Sequence, residues 1–172
     1  MWVDNLHNSP LVSVIMNAHN SEEFLAEAIK SVVEQTYQKW EIILWDNASK
    51  DESQSIAESF GDSRIHYHEI PGKVSLYTSR INAINHASGD LIAFLDCDDT
   101  WTPNKLTRQV PIFEDNSIVA SCTDYYVHIE GDDLRAVEQD RVARTYRDKR
   151  VSLEQIVSEY RVGMLTLMVR RS

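Results

Sequence analysis

Residues 91–101 read LIAFLDCDDTW, five apolar residues followed by three carboxylates in four positions, Asp96, Asp98 and Asp99. A short apolar run of this kind suits a strand covered on both faces. Like charges crowded at its end repel one another and lose solvation, so the cluster demands a cation or many hydrogen bonds. Working outward, the same grammar appears twice more. LVSVIMNA at 11–18 turns polar at Asn17 and leads into NAHN, and WEIILW at 40–45 leads into Asp46, Asn47 and Ser49.

Each strand is followed by a helical pattern. Asn20 with Glu23, and Ser49 with Glu52, have the spacing of capping boxes. After the first, Phe24, Leu25, Ala28, Ile29, Val32 and Val33 recur at helical intervals; after the second, SQSIAESF runs to Gly61. RIHYHEI at 64–70 is a third strand. Residues 75–86 form a helix with Leu76, Ile81, Ile84 and Ala87 on its apolar side, and Gly89 closes it. Thr102-Pro103 starts a further helix that Pro111 kinks or ends. Residues 118–129 regain strand character, 130–150 read as a long loop or irregular hairpin, Ser152 and Gln155 cap a short helix, and GMLTLMV at 163–169 is strand-like.

Strands alternating with helices predict right-handed crossovers and a mostly parallel sheet covered on both faces. Ligands of such sheets gather beyond the carboxyl ends of the strands. Asn17 to Asn20, Asp46 to Ser49 and Asp96 to Asp99 all fall at such ends, so three distant segments meet at one rim.

The chain has 172 residues, 42% of them hydrophobic, enough for one domain with a single core. Seventeen basic against 27 acidic residues give a formal charge of -10, which disfavours a nucleic-acid footprint or a polybasic grip on lipid. Cys97 and Cys122 lack a CxxC pairing or flanking histidines, which argues against zinc and a disulfide framework and fits a reducing cytoplasm. No stretch approaches the roughly 18 apolar residues of a membrane-spanning helix.

VSVIMNAHN with EEFLAEAIKSVVEQTY, WEIILWDNASKD, Arg80 followed by the ASGD turn, and FLDCDDTWTPNKL, in this order and spacing, resemble the inverting glycosyltransferases of family 2, with the GT-A fold. The resemblance covers Pro10 to about Arg171. It implies a three-layer α/β/α sandwich with a mostly parallel central sheet, residues 1–10 being an N-terminal tail and 11–172 a nucleotide-sugar-binding domain truncated at its C-terminal end. The implied activity is transfer of a sugar from a UDP- or dTDP-linked donor to the hydroxyl of an acceptor glycan or glycolipid, with inversion, in surface polysaccharide or glycoconjugate synthesis. The implied location is the cytoplasm, with peripheral attachment at the inner face of the membrane as an option.

By the same resemblance Asp96-Cys97-Asp98 is the DxD motif. A hard Mn2+ or Mg2+ held by carboxylate oxygen offsets charge on the departing diphosphate. Asp98 is assigned to the metal, Asp96 to the metal shell or ribose, and Cys97 is a small buried spacer in the nucleotide-binding stretch. In an extended strand Asp96 and Asp98 would point the same way, roughly 6.6 Å apart. A calcium loop is disfavoured, because Trp101 stands where glycine is required and Thr107 where a glutamate belongs. Acidic residues could also simply favour the N-terminus of the next helix, though one carboxylate would suffice.

Asp46-Asn47 corresponds to the family's base-reading acidic pair, with asparagine in second place; turn-forming is the competing role. Asn17, Ala18, His19 and Asn20 correspond to the first loop lining the nucleoside pocket, where His19 could stack on the base or be a solvated loop residue. The family places an arginine at Arg80 beside the diphosphate; a salt bridge to Asp46 or Asp98 is the alternative. Lys73 is a weak phosphate candidate, and Trp101 packs beneath the donor sugar or anchors the next helix. The family's carboxylate base is expected beyond Ser172, and the spacing of Asp124, Asp132 and Asp133 marks none of them as that base. A non-catalytic nucleotide-sugar binding module is the alternative reading. A nucleotidyltransferase would want a glycine-rich basic loop after strand one, and NAHNSEE has neither glycine nor lysine.

Overall fold

The computed structural model describes residues 9–123, 125, 144–145 and 164–171. Among these residues seven strands form one sheet: β1 (Val12–Ala18), β2 (Trp40–Asp46), β3 (Ile65–Glu69), β4 (Leu91–Phe94), β5 (Ala120–Cys122), β6 (Arg144–Thr145) and β7 (Met168–Arg170), in the order β3-β2-β1-β4-β7-β5-β6. β3, β2, β1 and β4 pair in parallel; β7 is antiparallel to β4 and β5, and β6 to β5. β1 to β5 therefore run one way and only β6 and β7 oppose them.

Alternation along the strands sends side chains to two cores. Val12, Val14, Met16, Ile42, Leu44, Leu91 and Ala93 pack with α1 (Leu25–Val33), α2 (Ser53–Ser59) and α4 (Lys105–Gln109), through Leu25, Ala28, Ile29, Ala57 and Leu106. Ile15, Ile43, Trp45, Ile92 and Phe94 pack with α3 (Leu76–His86) on the other face. The result is the expected three-layer sandwich.

α3 keeps Ile84 and Ala87 of its expected apolar side against the sheet but not the other two residues. Leu76 and Ile81 are exposed, and the buried residues are Ser79, Ala83 and Ala87. Small side chains let a helix lie close to the sheet, which large ones would prevent. Its start is conventional, with Ser75 Oγ accepting from Thr78 N. Gly61, at φ 59°, ends α2 as expected.

The two capping boxes do not form. α1 and α2 start at Phe24 and Glu52 without side-chain caps. The polar side chains instead stitch the β1–α1 loop to the β2–α2 loop. Asn20 N donates to Ser49 Oγ at 2.9 Å, and Lys50 N donates to Asn20 Oδ1 at 2.9 Å. Glu22 N donates to Asp51 Oδ2 at 2.9 Å, and Glu52 N donates to Glu22 Oε2 at 3.0 Å. α4 begins two residues beyond Pro103, Lys105 N bonding Thr102 O, and Pro111 falls in the 3-10 turn (Val110–Glu114) that ends it. Of the expected 118–129 strand, β5 covers three residues, while 124 and 126–129 lie outside the described residues; the described part of GMLTLMV holds a 3-10 turn (Met164–Thr166) and the start of β7. The expected loop at 130–150 and the Ser152 helix cap lie outside the described residues, apart from β6.

At the end of the sheet opposite the ligand rim, Glu41 is buried on β2. It accepts from Ser13 Oγ at 2.5 Å and from Ser88 N at 2.7 Å and Oγ at 2.9 Å, with His66 Nε2 at 3.6 Å. Burial acts to raise its pKa, but these hydrogen bonds and His66 outweigh it and hold the carboxyl below its ordinary 4.5. A group depressed in the folded state stabilises above its unfolded pKa and loses that contribution as pH falls through the folded value. Glu41→Gln is therefore expected to lower the melting temperature at pH 7, and the gap to wild type to close below about pH 4. A gap that is the same at both pH values would refute it.

Candidate functional site

The carboxyl ends of β1, β2 and β4 form the rim, and β1 has β2 on one side and β4 on the other. This is the switch point at which doubly wound sheets bind ligands. The peptide after β4 is not extended: Cys97 and Asp98 form a turn closed by Asp99 N donating to Asp96 O at 3.1 Å. Asp96 and Asp98 therefore do not stand side by side on a strand. Cys97 points inward, its thiol donating to Asn17 O at 3.2 Å, and burial beside Asp96 pushes its pKa up to about 12, which makes it an inert spacer.

Arg80, on α3, donates to Asp96 Oδ1 at 2.8 Å. The salt bridge goes to Asp96 rather than to Asp46 or Asp98. Asp98 is exposed and Asp99 partly buried. Burial, then the charges of Asp98 and Asp96, raise the Asp99 pKa. Asn17 Nδ2, at the same rim, is a buried donor without a partner among the described residues.

Asp46 is 1% exposed, and both its oxygens are engaged. Oδ1 accepts from Ser49 N at 2.7 Å, an Asx-type turn, and Oδ2 accepts from Tyr67 OH at 2.5 Å. Burial and the bond to Asp46 raise the Tyr67 pKa, keeping it a donor. Tyr67 was missed in the sequence, although alternation along RIHYHEI places it on the face of the α1 and α2 core. Asn47 is also engaged: Oδ1 accepts from Val74 N and Nδ2 donates to Val74 O, both at 2.8 Å. These bonds hold Asp46 and Asn47 in place at the rim, and each amide atom of Asn47 keeps one further hydrogen-bonding position. His19 Nδ1 lies 2.9 Å from Asn47 O and Nε2 lies 2.8 Å from Lys73 Nζ, while Asn20, at φ 53°, turns away to bond Lys50 N. Ala18 O accepts from Asn47 N at 2.8 Å, tying the two rim segments together.

Trp101 is an anchor. It is buried, donates Nε1–H to Leu165 O at 2.9 Å, and carries Lys105 Nζ 4.2 Å from its ring centroid. Burial lowers the Lys105 pKa to about 7, and its amine reaches Gln109 Oε1 at 2.7 Å. Nothing in the sequence pattern singled out this buried cation.

A family model described as "Glycosyl transferase family 2" matches residues 13–172. The chain belongs to this family. Its relatives include the Escherichia coli UDP-Glc:alpha-D-GlcNAc-diphosphoundecaprenol beta-1,3-glucosyltransferase WfgD, 30% identical over 94% of this chain and 61% of that one. The putative teichuronic acid biosynthesis glycosyltransferase TuaG of Bacillus subtilis is 30% identical over 94% of this chain and 63% of its own length. The chain thus spans about 60% of the length of these family 2 relatives. Among solved structures, the mannosyltransferase PcManGT from Pyrobaculum calidifontis, in complex with GDP-Man and Mn2+, superposes with a TM-score of 0.62 at 27% identity, covering 67% of this chain and 36% of that one. The fold is the GT-A arrangement of family 2. No helix among the described residues is long and apolar enough to cross a membrane.

Proposed function

We propose that this chain binds the donor in an inverting glycosyltransferase, which moves a sugar from a nucleotide diphosphate to an acceptor glycan or glycolipid during surface polysaccharide or glycoconjugate synthesis. One observation carries the reading: at the switch point, Asp96, Asp98 and Asp99 crowd together, and among the described residues Arg80 is the cation bonded to them, through Asp96. The arrangement is short by about one cation and offers Arg80 and Asn17 Nδ2 to ligand oxygens.

The donor set fits a hard divalent ion that takes most of its ligands from water and phosphate. No three His, Cys, Asp or Glu among the described residues form a chelating group, which argues against a protein-built cage. Mg2+, and Mn2+ with similar oxygen preference, are held by one or two carboxylates plus substrate phosphates. Asp98 and Asp96 Oδ2 would hold it, and when bound the ion supplies positive charge to the leaving diphosphate. Arg80, fixed by Asp96, orients the diphosphate. The acceptor proton requires a carboxylate base, which we place beyond Ser172.

Calorimetric titration with UDP, dTDP and GDP, with and without Mn2+, tests donor binding and base choice together. The expected result is Mn2+-dependent binding of the uridine or thymidine diphosphate. Donor hydrolysis by this chain should be slow, at least ~100-fold below transfer by a chain extended past Ser172, the range of a lost general base. Equal turnover by the two would refute the location of the base.

A further inference from the structure

We propose that Lys73 is a diphosphate-binding residue of the donor site and that Asn47 is the positioning residue that delivers it. The proposal rests on the donor-binding reading above and goes beyond its Arg80 and carboxylate cluster. Lys73 lies in the loop between β3 and α3, and its ammonium rests on His19 Nε2 at 2.8 Å. An ammonium carries three donors and no acceptor, and its strong partners are anions. A ring nitrogen that must be neutral to accept is a weak resting place, one that a phosphate oxygen outcompetes. His19 Nδ1 faces Asn47 O, so the imidazole is set to donate there and accept from Lys73.

The loop is held in place rather than free. Asn47 grips the Val74 backbone with both ends of its amide, Oδ1 accepting and Nδ2 donating at 2.8 Å. Val74 is flanked by Lys73 and by Ser75, the residue whose side chain caps α3. The same grip therefore sets the start of the helix that carries Arg80 to Asp96. Neighbouring strands are about 4.8 Å apart, so the path from the end of β2 to the end of β4, across β1, is roughly 10 Å. Lys73, on a flexible four-carbon stem, stands over the β1–β2 end of that path and Arg80 at its β4 end. A diphosphate lying along the rim meets a cation on each side. In a chain of net charge -10 the two cations at this rim are thus placed by one amide.

The test compares UDP with uridine, each titrated calorimetrically in Mn2+ against the unmodified chain, Lys73→Ala, Lys73→Arg, Asn47→Ala and the double variant, with melting temperatures recorded for all. Lys73→Ala should weaken UDP about tenfold and leave uridine unchanged, a charged hydrogen bond being lost without any base contact. Lys73→Arg should recover most of the loss. Asn47→Ala should weaken UDP and spare uridine, and adding it to Lys73→Ala should cost less than the sum of the two, because it acts partly through a side chain already removed. Equal losses for UDP and uridine in Asn47→Ala would show that Asn47 reads the base, which overturns its positioning role. UDP affinity unaltered by Lys73→Ala overturns the proposal while leaving the donor site standing. An unmodified chain that binds no nucleoside diphosphate overturns both.

Discussion

Asp98→Ala is expected to abolish the part of UDP affinity that Mn2+ confers, a loss on the order of 100-fold or more, since changes to residues that only support a metal's ligands already cost 10- to 100-fold. The fold should be untouched. Asp98 is exposed on the turn after β4, and surface substitutions away from special features usually stay within about 0.5 kcal/mol, here roughly 1–2 °C in melting temperature. The direction of the small shift is fixed by its neighbours. Asp98 is one of the charges that raise the Asp99 pKa, so removing it relieves repulsion and should move the melting point up rather than down.

The same substitution makes an opposite prediction for metal-free binding. Without Mn2+, a carboxylate at the rim repels the diphosphate, so Asp98→Ala should bind UDP in EDTA as well as or slightly better than wild type. A general disruption of the pocket would lower both affinities. Titrations in Mn2+ and in EDTA therefore separate loss of a metal ligand from loss of the site, and an unchanged affinity in Mn2+ would remove Asp98 from the metal.

Strand ends were legible because largely apolar runs such as LVSVIMNA and WEIILW give way to several consecutive polar residues where the sheet stops, a signal local to each segment. The capping boxes were not. Asn20, Glu22, Ser49 and Asp51 serve backbone donors about 30 positions away, and cross-loop bonding competes successfully with a cap three residues on. Asp46 shows the same limit at the site. Its second oxygen takes a partner that no local pattern announces, Tyr67 from the adjacent strand. On α3 the apolar residues were visible, yet the close approach to the sheet selected Ser79, Ala83 and Ala87 for burial and left Leu76 and Ile81 outside. Arg80 was legible through family resemblance, and its partner, Asp96, only through the geometry.

Gly89→Ala is expected to destabilise the fold strongly, although it adds only a methyl group. In the sequence Gly89 reads as the end of α3, but the helix already ends at His86, with Ala87 extended at ψ 138°. The glycine is needed for space. A Cβ there would stand 2.6 Å from Ser13 Oγ, 2.7 Å from Leu11 O and 2.7 Å from Ser13 N. Two of these are backbone atoms that cannot rotate away. Leu11 O accepts from Leu91 N at 3.1 Å, and Ser13 belongs to the β1–β4 ladder. The third atom, Ser13 Oγ, accepts from Gly89 N at 2.8 Å and donates to buried Glu41 at 2.5 Å. Overpacking costs about 1–3 kcal/mol, and weakening the hydrogen bonds of a buried carboxylate adds about 1–3 more. A total of roughly 2–6 kcal/mol lowers the melting temperature by about 4–24 °C for a domain of this size. Because Glu41 is part of the loss, Ser13→Ala should reproduce some of it, and the double variant should fall short of the sum of the two single losses. A Gly89→Ala protein melting within about 3 °C of wild type would show that β1 and β4 can separate at this end without cost, and the close approach of Gly89 to Ser13 would then not be what holds the opening of β4 in register.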